Sequence, residues 1–352
     1  MARIITITSG EDGVGKTSVS LNLSLSLASE GFKVCLFDAA FGLSNINIFT
    51  GIYPKKNLES VISGQSSLND IIIKNYQGID IIPGSSGVKK ITDLTQAQAH
   101  TLVKAFVDLE DYDYFILDTS WEMSSQVLSF CMASNEIILV ATCEPTSLTN
   151  AYSMLKVLSK YQYDLPVKVV INQAMSGKFA KKAYDQLKEL VNKFLSIKIQ
   201  PLGIVALDKN VRAAIVAQTP FVILFPDTIA SKCINSITRK LLNKAGQIQV
   251  MPLELFWDKC LSFLKKHHKP EKEPVSQKSE TKKQKEQDPD IKKALFNIES
   301  RLSTLIKEVS DIKQSLEIQG ARSNKNKEKE IKPPVPKEIS LDFESWLKKK
   351  YN

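Results

Sequence analysis

Ten consecutive residues, Ser9-Gly10-Glu11-Asp12-Gly13-Val14-Gly15-Lys16-Thr17-Ser18, have the types and spacing that phosphate chemistry requires. Gly10 to Thr17 fits G-x-x-x-x-G-K-[ST] at every fixed position. Glycines let a backbone wrap closely enough for its N–H groups to point at phosphate oxygens, and a helix N-terminus behind them adds a dipole that favours an anion. Gly10, Gly13, Val14, Gly15, Lys16, Thr17 and Ser18 are therefore the candidate nucleotide contacts. In such a loop the lysine reaches the β- and γ-phosphates and the Thr hydroxyl holds Mg²⁺, so the implied ligands are ATP or ADP with Mg²⁺.

The loop works only as a turn between a strand and a helix, and both are present: a β-branched run, Ile4 to Thr8, precedes it and a helix-compatible segment, Val19 to Ser29, follows. Further strand-like runs recur at Lys33–Phe37, Ile79–Ile82, Tyr114–Leu117, Glu136–Ala141, Val167–Ile171 and Gln200–Val205, separated by helical stretches. That alternation predicts an α/β fold, a doubly wound, mostly parallel sheet covered on both faces. The second run ends at Asp38 and the fourth at Asp118. Carboxylates at strand tips beside a phosphate loop hold Mg²⁺ through its waters. Lys16, Asp38 and Asp118 are thus the candidate catalytic residues, and Thr17, Asp38 and Asp118 the metal-holding ones.

Four more segments extend the pattern: Phe37-Asp38-Ala39-Ala40-Phe41-Gly42-Leu43-Ser44-Asn45-Ile46-Asn47 with Gly51-Ile52, Ile82 to Gly87, Glu144 to Tyr152, and Gln218-Thr219-Pro220 leading to Phe225 through Ser231. With them, residues 1–244 resemble the MinD/ParA family of deviant P-loop ATPases, and within it the flagellar-number regulators called FlhG, FleN or YlxH. The resemblance implies ATP-controlled dimerisation, reversible attachment to the inner membrane from the cytoplasm, and placement of a large cellular machine. It also implies an FlhF-like GTPase and flagellar switch proteins as partners. By the same resemblance Asn172 would read the adenine, with Pro226 and Asp227 lining the base pocket.

The chain departs from that family where the chemistry is done. The family loop reads S-G-K-G-G-V-G-K-T, and its first lysine reaches the partner's ATP; Glu11 stands at that position, beside Asp12. The D-A-D-x-G pattern has lost its second aspartate, which in the family helps position the attacking water, to Ala40. Asp118 is followed by Thr119-Ser120-Trp121-Glu122, where the family has small residues and glycine. Loss of one charge-stabilising group costs about 10³ to 10⁵ in phosphoryl-transfer rate. The expectation is a chain that binds ATP or ADP through Lys16 and Thr17 and hydrolyses ATP slowly or not at all. The alternative is an active arrangement built on Glu11 and Asp12, since Lys16, Thr17, Asp38 and Asp118 all remain.

Composition fits a cytoplasmic protein carrying an added tail. The 352 residues are 43% hydrophobic, enough for a proper core, and the N-terminus reads as a core strand rather than a leader. Five scattered cysteines within apolar runs read as reduced core residues. Of the net charge of +9, the residues from Lys265 onward carry 22 Lys and Arg against 15 Asp and Glu. The globular part is therefore nearly neutral, and the mixed sign of the tail argues against nucleic acid.

The chain divides into a nucleotide-binding domain over 1–250, an amphipathic helix over 251–268, a charged linker over 269–290, a coiled coil over 291–318, a second linker over 319–338, and an aromatic and basic segment over 339–352. In the helix, Leu253, Phe256, Trp257, Cys260, Leu261 and Leu264 share one face, with Lys265, Lys266 and Lys269 at its end. That face suits a membrane interface or a packed position on the domain equally. Ile291, Leu295, Ile298, Leu302, Leu305, Val309, Ile312 and Leu316 repeat at steps of four and three, a seam for self-association unless the helix folds back on the domain. The last segment reads as a docking peptide or a frayed end.

The leading function is a regulator of flagellar number or placement with impaired hydrolysis. The alternatives are a non-hydrolysing oligomeric scaffold for another polar or envelope machine, and a ParA-like partition protein. No D-Q-A-x-x-L-R helix, with which FlhG proteins stimulate their GTPase partner, precedes Ile4, which argues against the activator role.

Overall fold

The computed structural model describes residues 1–40, 46–84, 94–107, 109, 112–243 and 250–267. The segments assigned above to the coiled coil, both linkers and the terminal docking element lie outside the described residues, as do 41–45 and 85–87 of the motif segments. The strands are β1 (Arg3–Thr8), β2 (Val34–Ala39), β3 (Ile73–Tyr76), β4 (Ile79–Ile82), β5 (Tyr114–Thr119), β6 (Glu136–Ala141), β7 (Val167–Ala174) and β8 (Ile199–Ala206). The helices are α1 (Lys16–Ser29), α2 (Ile46–Thr50), α3 (Leu58–Ile62), α4 (Gln96–Val107), α5 (Ser125–Ala133), α6 (Pro145–Lys160), α7 (Gly177–Phe194), α8 (Lys209–Val216), α9 (Phe221–Leu224), α10 (Ile229–Asn243) and α11 (Leu253–His267).

One sheet results, in the order β3-β4-β2-β5-β1-β6-β7-β8. Every pairing is parallel except the edge hairpin of β3 with β4. All seven sequence runs become strands; β3 is the addition, joined to β4 by a tight turn whose Gln77 and Gly78 both take positive φ. β1 is central and buried along its whole length. Successive side chains of a strand point to opposite faces. Ile5 and Ile7 accordingly join a core shared with α1, α6, α7 and α10, while Ile4 joins the opposite core with α3, α4 and α11. At the N-terminal edge of the sheet Glu136 of β6 lies between Arg3 of β1 and Lys168 of β7, a buried ion cluster that Arg3 extends to Leu241 O at 3.0 Å.

The second core settles where the apolar face of α11 goes. Phe256, Trp257 and Cys260 are fully buried, and the Trp257 ring lies 4.7 Å from Phe106 and 6.1 Å from Phe130 between centroids. Of the two positions open to this helix from sequence, the structure shows the packed one. No described helix is long and apolar enough to cross a membrane.

Candidate nucleotide site

The loop between β1 and α1 sits at the carboxyl end of the central strand, where ligands of doubly wound folds bind. Gly15, the N-cap of α1, has φ +88°, a conformation that disfavours a side chain, and a Cβ there would lie 2.3 Å from Asn172 Nδ2. Gly10 meets a different constraint: its Cβ would fall 2.1 Å from the carbonyl oxygen of Asn150 in α6. The glycines thus let the loop press between α6 and the end of β7. The arrangement leaves backbone N–H groups at the head of α1, an anion cradle.

Lys16 is buried, and its ammonium donates to Ser9 Oγ at 2.9 Å and to Glu11 O at 3.2 Å. Burial pulls its pKa down, against the opposing pull of Asp118, Asp12 and Glu11. Asp118 is almost fully buried at the tip of β5 and accepts from Ser20 Oγ at 2.8 Å. Burial raises its pKa, and hydrogen bonds from Thr17 and Ser20 with the Lys16 charge partly oppose the rise. Asp38 pairs with Asp118 in register across β2 and β5 and accepts from Ala40 N at 3.1 Å. Asp38 and Asp118 thus stand side by side on adjacent strands, with the Thr17 hydroxyl bonded to Asp118. These are hard oxygen donors of the kind Mg²⁺ takes alongside phosphate oxygens. Among the described residues no group of three His, Cys, Asp or Glu converges to hold a metal unaided. The donor set therefore fits Mg²⁺ carried with a nucleotide.

A cleft of about 420 Å³ runs from this point, lined at one end by Asp12, Gly13, Gly15, Lys16, Thr17 and Ser18 and at the other by Val205–Asp208, Val211, Arg212, Ile215 and Phe221. Asn172 lies between, its Nδ2 donating to Val14 O at 2.7 Å, and Ala40 and Trp121 complete the wall. Pro226 and Asp227, by contrast, lie exposed in the turn between α9 and α10 and do not line the cleft. The residues after β8 line that end of the cleft instead. Their position after a strand's carboxyl end is a signal that the sequence reading did not use. The Glu11 carboxylate accepts from Asn150 Nδ2 at 2.8 Å, which holds it against α6.

Comparison with known proteins places these features. An AAA domain family matches residues 2–171. Antiactivator FleN of Pseudomonas aeruginosa is 34% identical over 240 residues, covering 68% of this chain and 86% of FleN. The flagellum site-determining protein YlxH of Helicobacter pylori is 30% identical over 74% of this chain and 90% of its own length. Among solved structures, the septum site-determining protein MinD of Pyrococcus horikoshii complexed with Mg-ADP superposes with a TM-score of 0.58 at 23% identity, over 70% of this chain and 98% of that one.

Proposed function

The chain belongs to the MinD/ParA family of P-loop ATPases, alongside FleN and YlxH, and from that premise we propose that it is a regulator of flagellar number or placement that binds nucleotide and turns it over poorly. The observation that carries the reading is 34% identity to antiactivator FleN across 86% of that protein's length. Lys16, Thr17 and the cradle at the head of α1 hold the phosphates of ATP or ADP; Asp118 and Asp38 hold Mg²⁺ with Thr17. Bound Mg²⁺ supplies charge neutralisation for the phosphates. Ala40, buried on the cleft wall where the family has an aspartate, leaves the attacking water without that carboxylate. Slow hydrolysis follows from that loss and from the acid at Glu11.

The proposed setting is the cytoplasmic face of the inner membrane, with an FlhF-like GTPase and flagellar switch proteins as partners and self-association through the 291–318 heptads. Membrane contact in this reading uses a surface other than the apolar face of α11, which is occupied by the domain. The test is titration calorimetry and steady-state turnover on the full chain with Mg²⁺, with Lys16→Ala as control. Micromolar binding lost in Lys16→Ala, with turnover far below that of a working family member, is expected. Ordinary turnover abolished by Lys16→Ala would overturn the claim of impaired hydrolysis.

A further inference from the structure

The phosphate end of the cleft gathers acid at the place where a triphosphate depends most on cations. Lys16 Nζ, which must reach the terminal phosphates, is bonded to the carbonyl oxygen of Glu11 itself, 3.2 Å away, and Asp12 lines the cleft beside it. Asp118, Asp12 and Glu11 are the carboxylates whose charge acts on Lys16; Arg212, the other cationic side chain among the described lining residues, belongs to the opposite end. The half-buried Glu11 carboxylate is anchored to α6. Its Oε2 accepts from Asn150 Nδ2 at 2.8 Å, and Gly10 brings the loop backbone against α6 so closely that no side chain fits between them.

Resting on the nucleotide reading above, we propose that Glu11, held in place by Asn150, makes this site select a nucleoside diphosphate over a triphosphate. A diphosphate ends its charge inside the N–H cradle, whose donors are fixed by the glycine turns. A third phosphoryl group extends the charge to the neighbourhood of Lys16, whose ammonium already serves Asp118, Asp12 and Glu11. Two like unit charges separated by about 8 Å at an effective dielectric of about 20 are disfavoured roughly thirtyfold, and Mg²⁺ removes part of such a penalty. At least a tenfold preference for the diphosphate remains.

Titration calorimetry of the full chain with ADP, ATP and a non-hydrolysable triphosphate analogue, each with Mg²⁺, tests this. Wild type is expected to bind ADP at least tenfold more tightly than either triphosphate. Glu11→Gln keeps an oxygen for Asn150 and removes the charge, so it should tighten triphosphate binding about tenfold and shift ADP less than threefold. Asn150→Ala releases the carboxylate and should narrow the preference part of the way, with an unchanged thermal melt confirming that α6 is intact. Equal affinity of wild type for ADP and ATP, or equal shifts of both ligands in Glu11→Gln, would overturn the proposal and leave the nucleotide site standing. Binding of neither nucleotide would remove the site and the proposal together.

Discussion

Replacing Trp257 with alanine deletes the side chain on which the rings of Phe37, Phe106, Phe130 and Phe256 converge, at centroid distances of 6.3, 4.7, 6.1 and 5.4 Å. The residue is fully buried. Truncating a buried Trp to Ala costs about 3 to 5 kcal/mol. One feature lowers that figure: Trp257 Nε1 is buried without a hydrogen-bond partner, and relief of such a donor returns about 1 to 3 kcal/mol. The net loss is about 2 kcal/mol, and Trp257→Phe, which also removes the orphan donor while keeping most of the ring, should cost about 1 kcal/mol or less. Guanidinium unfolding reads this as a fall in midpoint with an unchanged slope. Co-sedimentation with anionic vesicles supplies the second readout. A face that left the domain to enter lipid would give the reverse pattern, an unchanged midpoint and lost sedimentation, and that result would refute the packing argument.

Three further variants probe the site. Gly15→Ala places a side chain at φ +88°, 2.3 Å from Asn172 Nδ2, and should weaken nucleotide binding at least tenfold while costing about 1 to 2 kcal/mol of stability, read by calorimetry and thermal melts. Asp118→Asn should raise the melting temperature of the nucleotide-free chain by about 2 to 4 °C and abolish Mg²⁺-dependent binding. The sign follows from burial: the folded pKa of Asp118 lies above its unfolded value, so the folded state keeps the proton longer, and stability falls as pH rises through the window between the two values. At neutral pH the ionised carboxylate is a net cost, and a melt that drops in the variant contradicts this. Combining Ala40→Asp with Glu11→Lys restores both lost groups and should raise ATP turnover about tenfold or more, with no change in a phosphate-release assay counting against the assignment of Ala40.

The sheet was legible because its strands are dense β-branched runs ending in chemically distinctive residues, Thr8, Asp38 and Asp118. β3 was not, since Ile73-Lys74-Asn75-Tyr76 interleaves polar residues on an edge strand and its turn, Gln77-Gly78, lacks the Asn-Gly signal of hairpins. α1 shows the opposite conflict. Leu21, Leu23, Leu25 and Leu27 alternate with Ser and Asn at the period of a strand. The segment is helical because it is buried on nearly every side, and Ser24 satisfies its hydroxyl on the carbonyl of Ser20 at 2.8 Å. For α11 the apolar stripe was clear, but a stripe does not say what covers it. The Glu11–Asn150 contact spans 139 positions, and no local pattern announces it.

In the proposed reading, the same geometry separates binding from catalysis. Lys16 already makes two hydrogen bonds to the loop, so a phosphate that reaches it exchanges neutral acceptors for a charged one at small reorganisation cost, and charge-assisted bonds are roughly twice as strong as neutral ones. That gain is realised in the ground state. Acceleration requires interactions that strengthen only in the transition state. The groups placed to supply them are a carboxylate aligned on the attacking water and a cation on the departing charge, and their positions hold Ala40, buried and unable to orient water, and Glu11, fixed against α6 with the wrong sign. A loop that keeps its cradle while lacking both of these groups holds a nucleotide without lowering the barrier to its hydrolysis.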